Sequence, residues 1–466
     1  MHFDLVIVGT GSGNTLLDHR FDHWKVAIVE RDAFGGTCLN RGCIPSKMYV
    51  YPADVIMEMR RLGALDVDAQ LVGVRWRDMR DRIFARIDPI ASGGQEWRSN
   101  QPHVTVYAGD GRFVGEKQLQ VTASDGTVTE ITGDRFVLAA GARPVLPDIP
   151  GLDTVGAHTS DTIMRIDEVP ARLGIIGGGF IAVEQAHVFE AFGADVTMLV
   201  RRDQLLSHED RDVSGRITEL TAARLDLRTG TEVVAARRVG EVVEVDVVCR
   251  GELSTLEFDA LLVATGRHPN GDQLQVERTG VQLDALGNVV TDTQLRTAAD
   301  GIFALGDIRS PLQLKHVANH EARVVQHNLL HPEDPLEIDE EAVPHAVFGH
   351  PQIASVGATQ QELEAAGTPF LVGHRAHGGT AYGWAMEDTE GFVKVLVDPA
   401  TRRILGAHVI GHQAAILIQV LVQAMRFGQT ADEVARGQMW PHPALSEVVE
   451  NALLALHEEH PVAEAH

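Results

Sequence analysis

The chain contains 466 residues, of which 44% are hydrophobic and 23% are charged, and its formal net charge at pH 7 is −25. This length predicts two to four domains, because a single hydrophobic core rarely grows beyond about 250–300 residues. The acidic balance argues against nucleic acids and anionic membranes as partners, and no apolar run approaches the roughly 18 residues of a membrane-spanning helix.

The compartment is indicated by the first residues and by the cysteine content. The sequence starts directly with a strand-like run over residues 3–8, without a basic and then apolar export signal. Three cysteines are too few for the disulfide framework of a secreted protein. We therefore expect a cytoplasmic protein.

The first predicted unit is a buried strand over residues 4–8 that runs into the sequence GTGSGN at residues 9–14. Gly9 and Gly11 permit a tight turn and let the backbone approach a pyrophosphate, which the N-terminus of a following helix stabilises. A second strand over residues 25–29 ends in Glu30, about 20 residues after the turn, which is the spacing of an acid that binds a ribose hydroxyl. The third glycine of this motif is replaced by Asn14, with Gly13 beside it, so we expect the helix to lie slightly further from the strand.

Cys38 and Cys43 come next, with four residues between them, and Pro45 suits the first turn of a helix that begins there. A disulfide that closes so short a loop adds little stability. A thiol near the N-terminus of a helix, by contrast, has a lowered pKa and favours the thiolate. The pattern favours a redox-active pair, and two ordinary cysteines near a turn are the alternative.

A second copy of the strand, turn and helix pattern starts at residues 173–176 and continues with GGGFIA at residues 177–182. Its second strand, residues 195–200, ends in Arg201 and Arg202 instead of an acid. A carboxylate at this place accepts the 2′-hydroxyl of NAD, whereas guanidinium groups favour the 2′-phosphate of NADP. A solvated basic pair after a strand is the alternative interpretation.

Further apolar strands at residues 136–141, 261–266 and 301–307 end in small residues or, in the last case, in Asp307. We expect the ends of these strands to pass near the nucleotides bound by the two glycine turns. Prolines near residues 147–151 and the acidic stretch 332–341 mark boundaries. We expect an α/β fold with two Rossmann-like domains, the second inserted in the first, and a C-terminal α+β domain. The expected boundaries are 1–150, 151–270, 271–340 and 341–466, with Cys249 inert in a strand and a frayed tail after residue 456.

These motifs, together with the segment HPALSE at residues 442–447, resemble the flavoprotein disulfide reductases, or class I pyridine nucleotide-disulfide oxidoreductases. The family includes lipoamide dehydrogenase, glutathione reductase and mercuric reductase, and the resemblance extends essentially from end to end. Within the family, residues 9–14, 314–323, 382–388 and 440–454 resemble the mycothione reductases most.

The resemblance implies two nucleotide sites and no metal site. FAD is expected to contact Gly9, Gly11, Gly13, Glu30, Gly36, Thr37, Lys47, Gly111, Ala140, Gly141 and Asp307. NADPH is expected to contact Gly177, Gly179, Phe180, Arg201, Arg202 and Gly266. Glu30 would bind the adenosine ribose, Asp307 the ribitol chain, and Phe180 would cover the flavin as an aromatic gate. Because Ser207 and His208 stand where relatives often have a further arginine, NADH is expected to be accepted as well.

The resemblance also implies the catalytic groups. Cys43 is expected to face the flavin as the charge-transfer thiolate, and Cys38 is expected to exchange with the substrate. Lys47 and Glu184 match a buried ion pair beside the flavin N5 atom, whose cationic end stabilises negative charge on the reduced ring.

His442 matches the acid–base histidine of the family, with Glu447 orienting its other ring nitrogen. The resemblance implies a homodimer in which His442 of each subunit completes the active site of its partner.

The function expected from the sequence is the NADPH-dependent and FAD-dependent reduction of a low-molecular-weight disulfide, most similar to that of the mycothione reductases, through Cys38 and Cys43. An NAD-dependent dihydrolipoamide dehydrogenase is the nearest alternative, although an acid would then be expected in place of Arg201. A non-catalytic FAD-binding redox sensor is the other alternative, and such a protein would need neither the Lys47–Glu184 pair nor His442.

Overall fold

The computed structural model of the chain describes residues 1–457. The predicted frayed tail, apart from its first residue, lies outside the described residues. The strands are β1 (His2–Val8), β2 (Val26–Glu30), β3 (Val104–Ala108), β4 (Asp110–Gly115), β5 (Gln118–Thr122), β6 (Val128–Leu138), β7 (Ala142–Pro144), β8 (Arg172–Ile176), β9 (Asp195–Leu199), β10 (Asp226–Arg228), β11 (Thr231–Val239), β12 (Val242–Cys249), β13 (Glu252–Phe258), β14 (Ala260–Val263), β15 (Arg267–Pro269), β16 (Ile302–Ala304), β17 (Pro344–Val347), β18 (Ile353–Gly357), β19 (Leu371–Ala376), β20 (Phe392–Val397) and β21 (Ile404–Ile410). The helices are α1 (Gly36–Asn40), α2 (Cys43–Arg61), α3 (Trp76–Ser99), α4 (Phe180–Ala191), α5 (Arg211–Ala222), α6 (Gly271–Leu274), α7 (Lys315–Leu330), α8 (Gln360–Ala366), α9 (Ala381–Ala385), α10 (Ala414–Arg426), α11 (Ala431–Arg436) and α12 (Glu447–Leu454).

The first sheet has the strand order β3-β2-β1-β6-β5-β4, and β16 pairs with β6. Strands β3, β2, β1, β6 and β16 are parallel to one another. Successive residues of β1 are buried in two different hydrophobic clusters, so both faces of this part of the sheet are covered, as is typical of parallel sheets. Strand β16 follows the second sheet in the sequence but pairs with β6 of the first sheet. The second unit is therefore inserted into the first.

The prediction of a regular helix directly after GTGSGN is wrong. The structure has only short 3-10 helices there, at Gly13–Leu16 and His19–Phe21. The carbonyl groups that a regular helix would have bonded internally are satisfied by distant side chains. Buried Arg98 donates to the carbonyls of Asn14 and Leu17 and to the Asn14 side chain. Gln326 donates to the carbonyl of Leu16 at 2.6 Å. Side chains thus replace the missing backbone ladder.

The second sheet has the order β10-β9-β8-β14 and is parallel throughout. Here the turn after β8 is followed by a regular helix, α4, as the sequence predicts. An antiparallel sheet of β11, β12 and β13 packs beside it, and Cys249 ends β12 in the strand predicted for it.

The C-terminal part forms an antiparallel sheet of order β17-β18-β21-β20-β19. Helices α10, α11 and α12 share one hydrophobic cluster with this sheet. The predicted fold class, two nucleotide-binding α/β units and a C-terminal α+β unit, is confirmed, while the residue boundaries between the units stay a prediction. Within residues 1–457, no helix is both long and apolar enough to cross a membrane.

Candidate active site

A cavity of about 700 Å³ opens at the carboxyl ends of the parallel strands of the first sheet, where α/β folds bind their ligands. It is lined by all but one of the residues expected to contact FAD: Gly9, Gly11, Glu30, Gly36, Thr37, Lys47, Gly111, Ala140, Gly141 and Asp307. The exception is Gly13, where a Cβ atom would meet the Cβ of Ala139 at 2.7 Å. Gly13 thus allows close packing behind the cavity wall.

Two positions around the turn after β1 require glycine: Gly9 in the turn itself and Gly36 at the start of α1, which packs against the turn. Gly9 has φ +102°, and a Cβ there would lie 2.3 Å from the carbonyl oxygen of Ala139. Gly36, with φ +64°, approaches Gly11 so closely that a Cβ would lie 2.8 Å from the Gly11 Cα. The backbone of the turn and the start of α1 are therefore in direct contact, which leaves room for a ligand phosphate on the cavity side.

Glu30 is fixed at the end of β2 by its neighbours. Its carboxylate accepts hydrogen bonds from the Thr10 backbone at 2.8 Å, the Thr10 hydroxyl at 2.6 Å and the Asp32 backbone at 3.0 Å. A carboxylate has about four acceptor positions, so one position is left for a ribose hydroxyl.

Asp307 lines the cavity in a turn held by buried Glu321, which accepts a hydrogen bond from the Gly306 backbone. Burial raises the pKa of Asp307. In the described part of the chain, no other residue donates a hydrogen bond to its carboxylate, and Lys315 and Arg267 act on it only through their charges. A half-buried carboxylate that takes no hydrogen bond from another residue can accept hydroxyl groups of a ligand, so the residues present fit FAD, whose ribitol chain carries them.

Cys38 lies in α1, and Cys43 is the first residue of α2. Interaction with the Cys38 thiol and the nearby charge of Lys47 lower the pKa of Cys43 to about 7 against the opposing effect of burial. Interaction with the Cys43 thiol and burial raise the pKa of Cys38. The Cys43 thiol is therefore the more acidic of the two.

Lys47 lies one helical turn after Cys43 on α2, so both side chains project from one face. Its Nζ donates to both carboxylate oxygens of Glu184 on α4 at 2.7 Å each. Glu184 is 4% exposed and also accepts the backbone N–H of Phe348 at 3.0 Å. The Lys47 ammonium further lies 4.7 Å from the centre of the Phe348 ring. The ion pair is thus held in one position between two helices.

His442 and Glu447 form a pair outside this cavity. The His442 Nδ1 atom lies 2.7 Å from Glu447 Oε1, and the other carboxylate oxygen accepts the Ala444 backbone N–H at 3.1 Å. The hydrogen bond to His442 lowers the pKa of Glu447. The histidine side chain is 72% exposed, and within one chain it is not among the residues that line the cavity.

The second glycine turn repeats the geometry of the first. Gly177 has φ +132°, and a Cβ there would lie 2.3 Å from the carbonyl oxygen of Ala264, as Gly9 does against Ala139. Gly179 is the residue before α4, and Gly266, with φ +129°, follows β14. Phe180 begins α4, lines the large cavity and is 47% exposed. The second unit therefore contributes one aromatic side chain to the boundary of the first site.

Arg201 and Arg202 are both exposed after β9, and Arg202 donates to the Ser207 hydroxyl at 2.9 Å. Arg201 has no hydrogen bond or ion pair with the other described residues, so its charge is available to a ligand. We call residues 201–210, which begin with these two arginines, the basic loop. The Leu206 backbone N–H in this loop donates to the carbonyl of Gly178 at 2.8 Å, which fixes the loop against the second glycine turn.

Two buried carboxylates anchor the end of the basic loop to the C-terminal unit. Glu209 accepts from His345 at 2.6 Å and from the Ser355 hydroxyl at 2.7 Å. Asp210, which is fully buried, accepts from Lys394 at 2.7 Å. Sequence reasoning missed these anchors. The one available signal was Lys394 itself, a single charge inside the apolar run FVKVLV at residues 392–397.

Sequence reasoning also assigned no role to Lys315, which lines the cavity at the start of α7. Arg41, between the two cysteines, also lines the cavity and pairs with Asp32 and Asp161. Among residues 1–457, no group of three or more His, Cys, Asp or Glu side chains could hold a metal ion.

Comparisons with known proteins agree with this site. Residues 3–322 match the family model of the pyridine nucleotide-disulphide oxidoreductases, and residues 343–453 match the model of their dimerisation domain. Mycothione reductase of Mycobacterium tuberculosis (strain H37Rv) is 48% identical over 465 residues, which cover 97% of this chain and 99% of that protein. Dihydrolipoyl dehydrogenase of Chlorobaculum parvum is 32% identical over 461 residues, which cover 97% of each chain.

Among solved structures, the HOCl-induced flavoprotein disulfide reductase RclA from Escherichia coli superposes with a TM-score of 0.84 at 29% identity, covering 97% of this chain and 99% of that one. Sequence motifs, cavity and comparisons agree. The chain therefore belongs to the pyridine nucleotide-disulphide oxidoreductase family and is a flavoprotein disulfide oxidoreductase.

Proposed function

We propose that this enzyme uses NADPH to reduce mycothione to mycothiol through the Cys38–Cys43 pair. The observation that carries the chemistry is the cysteine pair itself, which lies with Lys47 on the wall of a cavity fit for FAD and in which the pKa of Cys43 is lowered by the Cys38 thiol and the Lys47 charge. The substrate is proposed from identity, which is 48% with a mycothione reductase against 32% with a dihydrolipoyl dehydrogenase over similar lengths.

FAD, when bound, would pass the two electrons of NADPH to the Cys38–Cys43 disulfide. We propose that the turn at Gly9 and Gly11 holds its pyrophosphate, while Glu30 and Asp307 hold its ribose and ribitol hydroxyls. The ammonium of Lys47, fixed by Glu184 beside the cysteines, would favour negative charge both on Cys43 and on the bound ring system.

The exchange steps follow from the polarity of the pair. Cys38 loses its proton to a base and its sulfur attacks one sulfur of the substrate disulfide, so that one new S–S bond forms while the substrate S–S bond breaks. The released thiolate takes the proton back and leaves as the first thiol. Cys43 then attacks Cys38, which re-forms the enzyme disulfide and releases the second thiol after a further protonation.

We propose that His442 of a partner subunit is the base and acid in these steps. Glu447 holds its Nδ1, which leaves Nε2 for the substrate sulfur. Two observations support a homodimer: His442 is exposed and lies off the cavity of its own chain, and residues 343–453 match a dimerisation domain. A thiol-based cycle of this kind suits a reducing cytoplasm, which is the compartment we propose.

We propose NADPH as the preferred reductant, with the 2′-phosphate bound by Arg201 and Arg202 of the basic loop and the pyrophosphate by the turn at Gly177 and Gly179. The unpaired charge of Arg201 supports this choice. Ser207, which already binds Arg202, offers a hydroxyl but no further charge, so NADH should bind more weakly but not be excluded.

The test is steady-state oxidation of NADPH and NADH by the FAD-loaded enzyme with mycothione, glutathione disulfide and oxidised lipoamide side by side. We expect the highest kcat/KM with NADPH and mycothione. Cys38→Ser and Cys43→Ser should abolish turnover while FAD stays bound, and Cys249→Ser is the matched control that should keep it. Equal or better reduction of oxidised lipoamide with NADH would contradict the proposal.

A further inference from the structure

The chain has only five lysines among its 40 basic residues, and Lys315 differs from the other four. Lys47, Lys117 and Lys394 are paired with carboxylates, and Lys25 lies on the surface over the ring of Phe3. Lys315 lines the cofactor cavity and has no carboxylate within ion-pair distance in the described part of the chain. Its charge is therefore not neutralised by a paired acid.

The position of the Lys315 ammonium is fixed by a short relay. Its Nζ donates to the hydroxyl of Ser12 at 2.8 Å, and the Ser12 hydroxyl donates onward to the Asn319 side-chain oxygen at 3.0 Å. Asn319 lies one turn after Lys315 on α7, so both project from the same face of the helix. Ser12 is only 6% exposed. A buried hydroxyl that accepts from one side chain and donates to another holds the ammonium at the cavity wall.

The same relay holds Lys315 on the wall of the cavity that Cys38 also lines. Ser12 follows Gly11, which contacts Gly36, and Gly36 begins the short helix that carries Cys38. The charge of Lys315 favours the ionised form of Cys38, just as that of Lys47 favours the ionised form of Cys43. Each cysteine of the pair thus has one lysine that stabilises its negative charge.

We propose that Lys315 stabilises the thiolate of Cys38 and thereby activates it for attack on the substrate disulfide. The inference rests on the proposed function, since it assigns the exchange step to Cys38. Cys38 needs a separate cation because the charge of Lys47 acts on Cys43, which is the more acidic of the two thiols. Lys315 acts through Cys38, so it is a positioning and electrostatic residue.

The test measures Cys38 alone, without substrate or NADPH. In FAD-loaded protein carrying Cys43→Ser and Cys249→Ser, Cys38 is the only thiol, and its reaction with iodoacetamide forms one S–C bond with loss of iodide. The alkylation rate is measured against pH with Lys315 intact and in the variants Lys315→Gln and Lys315→Met. Both variants remove the charge, and Gln keeps a hydrogen-bonding group. Lys315→Arg keeps the charge, and Lys117→Met is the matched control on the surface.

Removal of the charge should move the midpoint of the profile upward by about one pH unit, which slows alkylation about tenfold below the midpoint. Gln and Met should behave alike, Arg should retain most of the rate, and Lys117→Met should change nothing. FAD content and the thermal midpoint identify any variant whose fold is disturbed, and Gln is the variant least prone to this.

An unchanged midpoint in Lys315→Gln with full FAD content would overturn the inference. The outcome is independent of the proposed substrate. A shifted midpoint in an enzyme that fails to reduce mycothione would contradict the proposed function alone, whereas normal mycothione turnover with an unshifted midpoint would contradict the inference alone.

Discussion

Lys394 offers the sharpest test of how the basic loop is held, because it is a charged side chain inside the C-terminal sheet. It is 1% exposed and donates to fully buried Asp210 at 2.7 Å and to Asp212 at 2.6 Å. Replacing Lys394 with Met leaves the Asp210 carboxylate buried without its cation. Removing one partner of a buried ion pair costs about 3–5 kcal/mol.

The loss should be local, at the junction where the Gln360 backbone donates to Asp210. Because every 1.4 kcal/mol is about a factor of ten, hydrogen exchange in peptides that contain Asp210 and Gln360 should accelerate at least about 100-fold. The same change loosens the end of the basic loop, so KM for NADPH should rise more than KM for NADH, while kcat at saturating NADPH stays nearly constant.

Two further variants separate the buried charge from the loss of a lysine. Asp210→Asn combined with Lys394→Met removes the unpaired charge and should recover most of the lost protection. Lys117→Met removes a cation whose partner, Asp300, is 99% exposed, and should cost only about 0–1 kcal/mol. If Lys394→Met exchanged no faster than Lys117→Met, the reasoning on the buried pair would be refuted.

Three other predictions concern titration and cofactor choice. Burial opposes a charged His345, but its hydrogen bond to Glu209 outweighs this and raises the pKa of His345. The stabilisation by this pair should therefore be complete below about pH 6.5 and be lost as the pH rises through the raised pKa. The thermal midpoint of His345→Gln should approach that of the wild type at high pH. A difference in thermal midpoint that did not change with pH would contradict the pairing. Cys43, with its pKa lowered to about 7, should be half ionised near that pH, and Lys47→Met should shift alkylation of Cys43 in the reduced enzyme to higher pH, as located by mass spectrometry. Arg201→Glu should weaken NADPH binding at least about tenfold more than NADH binding, and equal effects in titrations would remove the 2′-phosphate assignment.

The sequence was sufficient for the features that depend on local chemistry. The turns at Gly9 and Gly177 follow from strands that end in glycine, because only glycine allows the approach of a neighbouring carbonyl that both turns require. The placement of Cys43 at the start of a helix followed from Pro45, and the structure confirms a helix from Cys43 to Arg61.

The features that were missed depend on residues far apart in the chain. Arg98 donates to the carbonyl of Asn14, which is 84 residues earlier in the sequence, where a helix was predicted. Lys394 donates to Asp210, which is 184 residues earlier. Neither contact has a periodic or local signature, since each arises only when separate units pack together. Lys315 was visible in the sequence, but its role required the position of Ser12.

Whether electrons from NADPH reach the Cys38–Cys43 disulfide can be tested by counting thiols. The air-oxidised, FAD-loaded enzyme is treated anaerobically with one equivalent of NADPH per subunit, denatured in iodoacetamide and mapped by mass spectrometry. Cys38 and Cys43 should become alkylated only after the addition of NADPH, while Cys249 should be labelled equally with and without it. Labelling of Cys38 and Cys43 that did not depend on NADPH would rule out this route of electrons.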